Sequence, residues 1–252
     1  MIVARFFGAG DEKNLQRAVH TTVAFGLVAG VLMTGVGVAL SPQILRWMDT
    51  PESVMRESVT YLQIYFAGSL GFVMYNVLVG ILQAVGDSRH PLYYLIVSSV
   101  INLVLDLLFI TGFHTGVGGA AVATVISQIV SALLCFWQLL RTKESYGLKI
   151  RKIRFDKGIL VQIIKIGLPS GVQNSIIAFA NVIVQSNINA FGEMAMAGYG
   201  AYTKVEGFGF LPINSFTMAL TTFVGQNLGA KQEERTRKGA RFGILAAVIL
   251  AD

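Results

Sequence analysis

The sequence predicts an all-α, polytopic membrane protein, in which a bundle of helices crosses the bilayer several times. Hydrophobic residues make up 54% of the 252 residues, whereas charged residues make up only 13%. A soluble domain of this size would carry about 25% charged residues. The charges also collect in short stretches between long apolar runs. These observations favour a membrane bundle over a soluble protein with a large core.

Six apolar runs each exceed the ~20 residues that a helical transmembrane segment needs. We place them at residues 19–40, 58–83, 92–111, 117–140, 159–191 and 195–224. A seventh run, at residues 242–252, is too short to cross a bilayer. We therefore expect that the sequence ends inside a helix and is a fragment of a longer protein.

The basic residues predict the orientation of these spans. Sixteen of the twenty Lys and Arg residues lie in alternate connections, and only Arg46 and Arg56 lie in the opposite set. Such an asymmetry predicts that the basic side is cytoplasmic. The basic run at residues 149–157 is accordingly better explained as a positive-inside loop than as a nucleic-acid-binding segment. We expect a multi-pass protein of the cell membrane with cytoplasmic loops at 84–91, 141–158 and 225–241.

Two short stretches indicate an internal repeat. Residues 3–9 read VARFFGA and residues 224–230 read VGQNLGA, and acidic and then basic residues follow each of them. The longest basic connection, 141–158, separates the two regions. Repeats of this kind are common in transporters, where each half of the protein carries one copy.

Asp106 is the most informative single residue, because it lies in the middle of the third apolar run. An ionised Asp at mid-bilayer depth costs roughly 2.5–3.5 kcal/mol. Asn102 precedes Asp106 by four residues, so both side chains fall on one helical face. A buried carboxyl group can alternate between a protonated and a cation-bound state. The alternative is that Asp106 only hydrogen-bonds neighbouring helices.

The remaining reactive residues do not indicate an enzyme or a bound cofactor. Cys135 is the single cysteine, so no disulfide can form within the chain. The three histidines are far apart, and no cluster of His, Asp, Glu or Cys lies at one depth. The glycines at residues 116–119 follow a span and do not open a phosphate-binding turn.

Several motifs, in this order and spacing, resemble the MATE family of multidrug and toxic compound extrusion transporters. They are LQAVGDSRHPL (82–92), NLVLDLLFITG (102–112), GVGGAAVATVIS (116–127), GLPSGVQNS (167–175) and VGQNLGA (224–230). The resemblance implies a twelve-helix fold in two six-helix lobes around a central cleft. The chain would cover the third to the start of the ninth transmembrane helix. Residues 1–140 would belong to the first lobe, 141–158 to a linker, and 159–252 to the truncated second lobe.

The resemblance also implies a function and a site. MATE proteins couple the export of cationic or amphipathic compounds to the entry of Na⁺ or H⁺ by alternating access. The coupling-ion site of one branch corresponds to Asn102 and Asp106 on one helix, and to Thr124 with the Ala120 carbonyl on the next. For sodium coupling, Asp106, Asn102 and Thr124 would be the metal ligands, since hard cations prefer oxygen. The family's further Asp, on its first helix, has no counterpart in this chain.

The resemblance further suggests which polar residues line a substrate cleft. The candidates, each of which could instead form an interhelical hydrogen bond, are Asn76, Gln173, Asn174, Asn181 and Gln185. The expected partners are small drug or toxin molecules and the lipid bilayer, with no nucleic acid, and we expect a monomer. The alternatives are a lipid-linked oligosaccharide flippase of the wider superfamily, or an inactive truncated product.

Overall fold

A computed structural model of the chain describes residues 1–48, 50, 52–189 and 191–251. Within these residues the protein is helical and contains no strand, which confirms the predicted all-α class. The described helices are α1 (Ile2–Gly8), α2 (Glu12–Trp47), α3 (Glu52–Ala67), α4 (Ser69–Ala84), α5 (Arg89–Leu107), α6 (Gly116–Arg141), α7 (Lys157–Asn189), α8 (Glu193–Gly229) and α9 (Glu233–Ala251). Residues 190 and 252, inside the predicted ranges 159–191 and 159–252, lie outside the described residues.

The helices correspond to the six predicted spans, with one difference in the second. Five segments are individually long and apolar enough to cross a membrane, and they contain α2, α5, α6, α7 and α8. The sixth is the pair α3 and α4, which is bent by 42° and was predicted as one continuous span. The break lies at Gly68, whose backbone packs against the Val125 side chain of α6 so closely that a Cβ would clash. Contact with α6 therefore accounts for a bend that the hydropathy pattern does not reveal.

The chain divides into two compact units, residues 12–156 and residues 1–11 with 157–252. The first unit contains α2 to α6. On α2, Gly26 and Gly30 face α4, where added Cβ atoms would lie 2.9 Å from Val77 and 2.7 Å from Leu70. These glycines therefore allow close packing of two helices, as the GxxxG spacing predicts.

In the second unit, α1 packs against the carboxyl end of α8 through the two stretches that share a sequence pattern. Gly8 lies against the backbone of Gln226, and Gly229 lies against the carbonyl oxygen of Arg5. In the repeat, Arg5 corresponds to Gln226 and Gly8 corresponds to Gly229. Each contact therefore joins the glycine of one copy to the residue three positions before the glycine of the other copy. This reciprocal packing supports the internal repeat. The division into lobes at 1–140, 141–158 and 159–252 stays a prediction.

Candidate cation site

Helices α5 and α6 run antiparallel, and two contacts define their register. Near one end, the Tyr94 hydroxyl donates a hydrogen bond to Oε1 of Gln138 at 3.3 Å. Near the other end, the Cβ of Phe109 lies 2.9 Å from the position that a Cβ on Gly119 would take. Between these two contacts, Asp106 lies within about one helical turn of the level of Thr124.

The same register adds a residue that sequence reasoning missed. By interpolation between the two contacts, Asn102 lies near the level of Gln128, which is one turn beyond Thr124 on α6. Ala120, Thr124 and Gln128 are spaced four residues apart, so they form one stripe along this helix. That spacing was a usable signal in the sequence, because Gln128 is a polar residue within an apolar span. Its position opposite Asn102 could be found only from the packing of α5 against α6.

Among the described residues, three of the five buried side-chain polar atoms without hydrogen-bond partners lie on these two helices, and the other two, on Gln16 and Thr34, lie on α2. Within the described residues, Oδ1 of Asp106, Nδ2 of Asn102 and Oε1 of Gln128 are buried and make no hydrogen bond. A buried polar group left unpaired typically costs about 1–3 kcal/mol, and a charged group costs more. Asp106 thus makes no interhelical hydrogen bond in the described part of the chain, which disfavours a role as simple polar glue. A half-turn of the Asn102 amide would present its oxygen instead of its nitrogen.

Thr124 and Ala120, the two members of the predicted site on α6, are bonded to each other. The Thr124 hydroxyl donates to the Ala120 carbonyl oxygen at 3.0 Å. The Thr124 hydroxyl oxygen keeps its lone pairs and can still accept a cation or a proton donor. The Ala120 carbonyl oxygen also accepts the Thr124 N–H within α6, so a cation there would replace one of these two hydrogen bonds. The structure thus brings the predicted residues onto two facing helices, with a carboxyl group on one and neutral oxygens on the other.

A π-helical segment, Leu108–Gly112, begins two residues after Asp106. Its wider turn appears in the hydrogen bond from the Phe113 N–H to the Leu108 carbonyl oxygen, at 3.0 Å. Such segments are rare and occur frequently at functional sites. The start of α6 fits against this segment because Gly119 has no side chain. No feature of composition predicted the π-helical turn.

The predicted substrate-cleft residues are distributed over both units. Asn76 is exposed on α4 and donates a hydrogen bond to the Phe72 carbonyl oxygen of its own helix at 2.8 Å. The other four lie on α7, where Gln173, Asn174 and Asn181 are exposed and Gln185 is partly exposed. Gln173 also lines an open, mainly apolar pocket of about 610 Å³ on the same helix, beside Leu168, Pro169, Val172, Ile176 and Ile177. Their role in a cleft stays a prediction.

Comparison with known proteins identifies relatives along nearly the whole chain. The MatE family model matches residues 1–108 and 169–251. The probable multidrug resistance protein YoeA of Bacillus subtilis is 32% identical over 251 residues, which are 97% of this chain and 54% of that protein. The probable multidrug resistance protein NorM of Thermotoga maritima is 26% identical over 98% of this chain and 54% of its own length. The chain thus spans about half the length of these relatives.

Solved structures agree with the sequence relatives. A crystal structure of a MATE protein in a bent conformation has a TM-score of 0.90 at 27% identity, covering 99% of this chain and 56% of that chain. A transporter of the MOP superfamily from Pyrococcus furiosus has a TM-score of 0.90 at 26% identity with the same coverage. The family match, the relatives and the fold agree on one identity. The chain belongs to the MATE family of multi-pass membrane transporters.

Proposed function

We propose that the whole protein exports cationic or amphipathic drugs and toxic compounds by alternating access, in exchange for Na⁺ or H⁺. The observation that carries this proposal is the buried carboxylate oxygen of Asp106, which has no hydrogen-bond partner in the described part of the chain. The relatives named above as multidrug resistance proteins support the choice of cargo. A drug efflux transporter needs a group that binds the coupling ion reversibly, and Asp106 has the chemistry for this task.

The coupling step rests on neutralising one charge. An empty, ionised Asp106 carries the cost of a charge at membrane depth, roughly 2.5–3.5 kcal/mol. A proton on the carboxylate removes that charge, and a bound Na⁺ compensates it. Asn102, Thr124 and the Ala120 carbonyl supply neutral oxygens for Na⁺, and we add Gln128 to this set because its Oε1 is buried and unpaired among the described residues. The ion-free state is then disfavoured, which links the position of the helices to ion occupancy.

The proposal includes the setting of the site. The protein is a monomer in the cell membrane, with the basic loops 84–91, 141–158 and 225–241 in the cytoplasm. It takes no organic cofactor and no nucleic acid. Asn76 and the polar residues of α7 face the transported compound, which is recognised by shape and apolar surface rather than by fixed polar spacing.

Transport by the whole protein, reconstituted in vesicles, tests the proposal when Na⁺ and pH gradients are imposed separately. We expect at least one gradient to drive export of a fluorescent cationic drug by the wild-type protein. Asp106→Asn should abolish the driven export without lowering the protein yield. Asp87→Asn is the matched control, because Asp87 precedes α5 and pairs with His90 at 2.6 Å, outside the site. Driven export by Asp106→Asn at the wild-type rate would refute the coupling role.

A further inference from the structure

A basic cavity lies where the connection between α6 and α7 folds back onto the start of α2. Its volume is about 420 Å³. It is bounded on one side by the first turns of α2 and on the other by residues 151–156. The side chains that determine its charge are Lys13, Arg17, Arg151, Lys152, Arg154 and Asp156.

Hydrogen bonds from α2 hold the backbone of this connection in place. The Gln16 amide donates to the Gly147 carbonyl oxygen at 3.1 Å. The Lys149 N–H donates to Nε2 of His20, and the Asp156 N–H donates to the Thr21 hydroxyl, both at 3.0 Å. His20 and Thr21 are almost completely buried. The wall of the cavity is therefore fixed before any ligand binds, which lowers the entropic cost of binding.

His20 contributes to this wall as a neutral imidazole. Its Nδ1 lies 2.5 Å from the carbonyl oxygen of Gln16, so it must carry the proton that is donated there. Its Nε2 then accepts the bond from Lys149. Both nitrogens are used within the protein, and His20 positions the connection rather than binding a ligand.

The charges of the cavity are not balanced within the described part of the chain. Arg17 lies 3.7 Å from Asp156, the single carboxylate in the lining. The other four cations, Lys13, Arg151, Lys152 and Arg154, form no ion pair with any described residue. A positive-inside loop needs only basic residues in its sequence. Convergence of five cations on one cavity goes beyond that requirement and favours an anionic ligand.

The position of the cavity along α2 indicates the source of that anion. Its lining residues on α2 run from Lys13 to Thr21, and the first predicted span begins at residue 19. The cavity therefore lies where α2 enters the membrane, at the depth of the lipid headgroups. Basic pockets at this depth on the cytoplasmic side bind anionic headgroups in other membrane proteins. We propose that the cavity binds the phosphate headgroup of an anionic phospholipid, which links α2 to the α6–α7 connection.

Lipid titration into the detergent-purified whole protein, followed by native mass spectrometry, tests this proposal. The probes are phosphatidylglycerol, neutral phosphatidylcholine and free glycerol phosphate. We expect tight binding of phosphatidylglycerol only. A variant combining Arg151→Gln, Lys152→Gln and Arg154→Gln should bind it roughly a hundredfold more weakly, since each basic residue contributes about a fivefold change near an anionic lipid.

The matched control removes three cations from the basic segment at residues 225–241, at the start of α9 and just before it. It combines Lys231→Gln, Arg237→Gln and Arg241→Gln and should retain wild-type lipid affinity. Equal weakening in both triple variants would show general charge attraction and overturn the site. Equal binding of phosphatidylcholine would overturn the anionic headgroup, and equal binding of glycerol phosphate would overturn the lipid as its source. Lys13→Gln is a single change at an exposed position and covers the case in which the triple variant does not fold. It should weaken phosphatidylglycerol binding about fivefold. Unchanged affinity would count against the site.

Discussion

Two polar sites in the unit formed by residues 12–156 differ in charge and in construction. The candidate cation site lies within the apolar depth of α5 and α6, and its polar atoms include three that are buried and unpaired among the described residues. The basic cavity lies at the start of α2, where Gln16, His20 and Thr21 are hydrogen-bonded to a connection more than a hundred residues later. The first site keeps three unpaired polar atoms, whereas in the second the Gln16 amide nitrogen, His20 and Thr21 fix a backbone, and among the described residues only Oε1 of Gln16 stays buried and unpaired.

This difference indicates how each site would bind. An ion at Asp106 would complete hydrogen-bonding groups that the fold leaves open, so binding and helix packing are coupled. An anion in the basic cavity would meet a wall that already exists, so binding there need not move the helices. A substitution should therefore be able to disable either site without affecting the other.

The largest expected effect is that of Gly119→Val, which acts on the register of α5 and α6. Gly119 is buried, and its backbone lies against Phe109 and Thr115. Overpacking of this kind typically costs about 1–3 kcal/mol. We expect ion-driven transport to be lost and the thermal unfolding temperature to fall, while phosphatidylglycerol binding to the folded protein persists. Gly80→Val is the control, because no atom lies within 4 Å of a Cβ at Gly80. Unchanged transport would show that this contact does not define the cation site.

Asn102→Ala should have the next largest effect, since it removes a neutral oxygen from the cation site. Loss of one such contact is worth about 1–3 kcal/mol, which corresponds to a roughly ten- to hundredfold higher half-saturating concentration of the coupling ion. The measurement is transport rate against ion concentration. Asn227→Ala on α8, whose amide bonds its own helix at the Phe223 carbonyl oxygen, should leave the ion dependence unchanged. An equal shift in both variants would contradict a specific role for Asn102.

His20→Leu tests the opposite side of the comparison. It removes the acceptor for the Lys149 N–H and one hydrogen bond within α2. Leaving such a donor unpaired should cost about 1–2 kcal/mol of stability, measured by thermal unfolding, and should weaken phosphatidylglycerol binding. The ion dependence of transport should not change. His90→Leu is the control. It removes the partly exposed contact between His90 and Asp87 and should leave lipid affinity intact. A shift in ion dependence in His20→Leu would show that the two sites are coupled.

The sequence predicted the features that depend on local periodicity. Hydropathy predicted the apolar spans, and the four-residue spacing placed Asn102 and Asp106 on one face. Features that depend on contacts between distant residues were missed. The bend at Gly68 arises from packing against Val125, and the basic cavity arises because the connection at 149–156 returns to α2. The run of basic residues was visible in the sequence, but its convergence on one cavity was not.

The smallest predicted effect belongs to Gln128, the residue that only the helix register brings into the cation site. If Oε1 of Gln128 faces the bound ion, Gln128→Ala removes one neutral oxygen at the edge of the site. The expected loss is about 1 kcal/mol, or a roughly fivefold higher half-saturating ion concentration. Ser131→Ala is the matched control on α6, because the Ser131 hydroxyl already bonds the Ser127 carbonyl oxygen at 3.1 Å. If both variants keep the wild-type ion dependence, the unpaired oxygen of Gln128 has no part in ion binding, and the site is confined to the residues near the level of Asp106 and to Asn102.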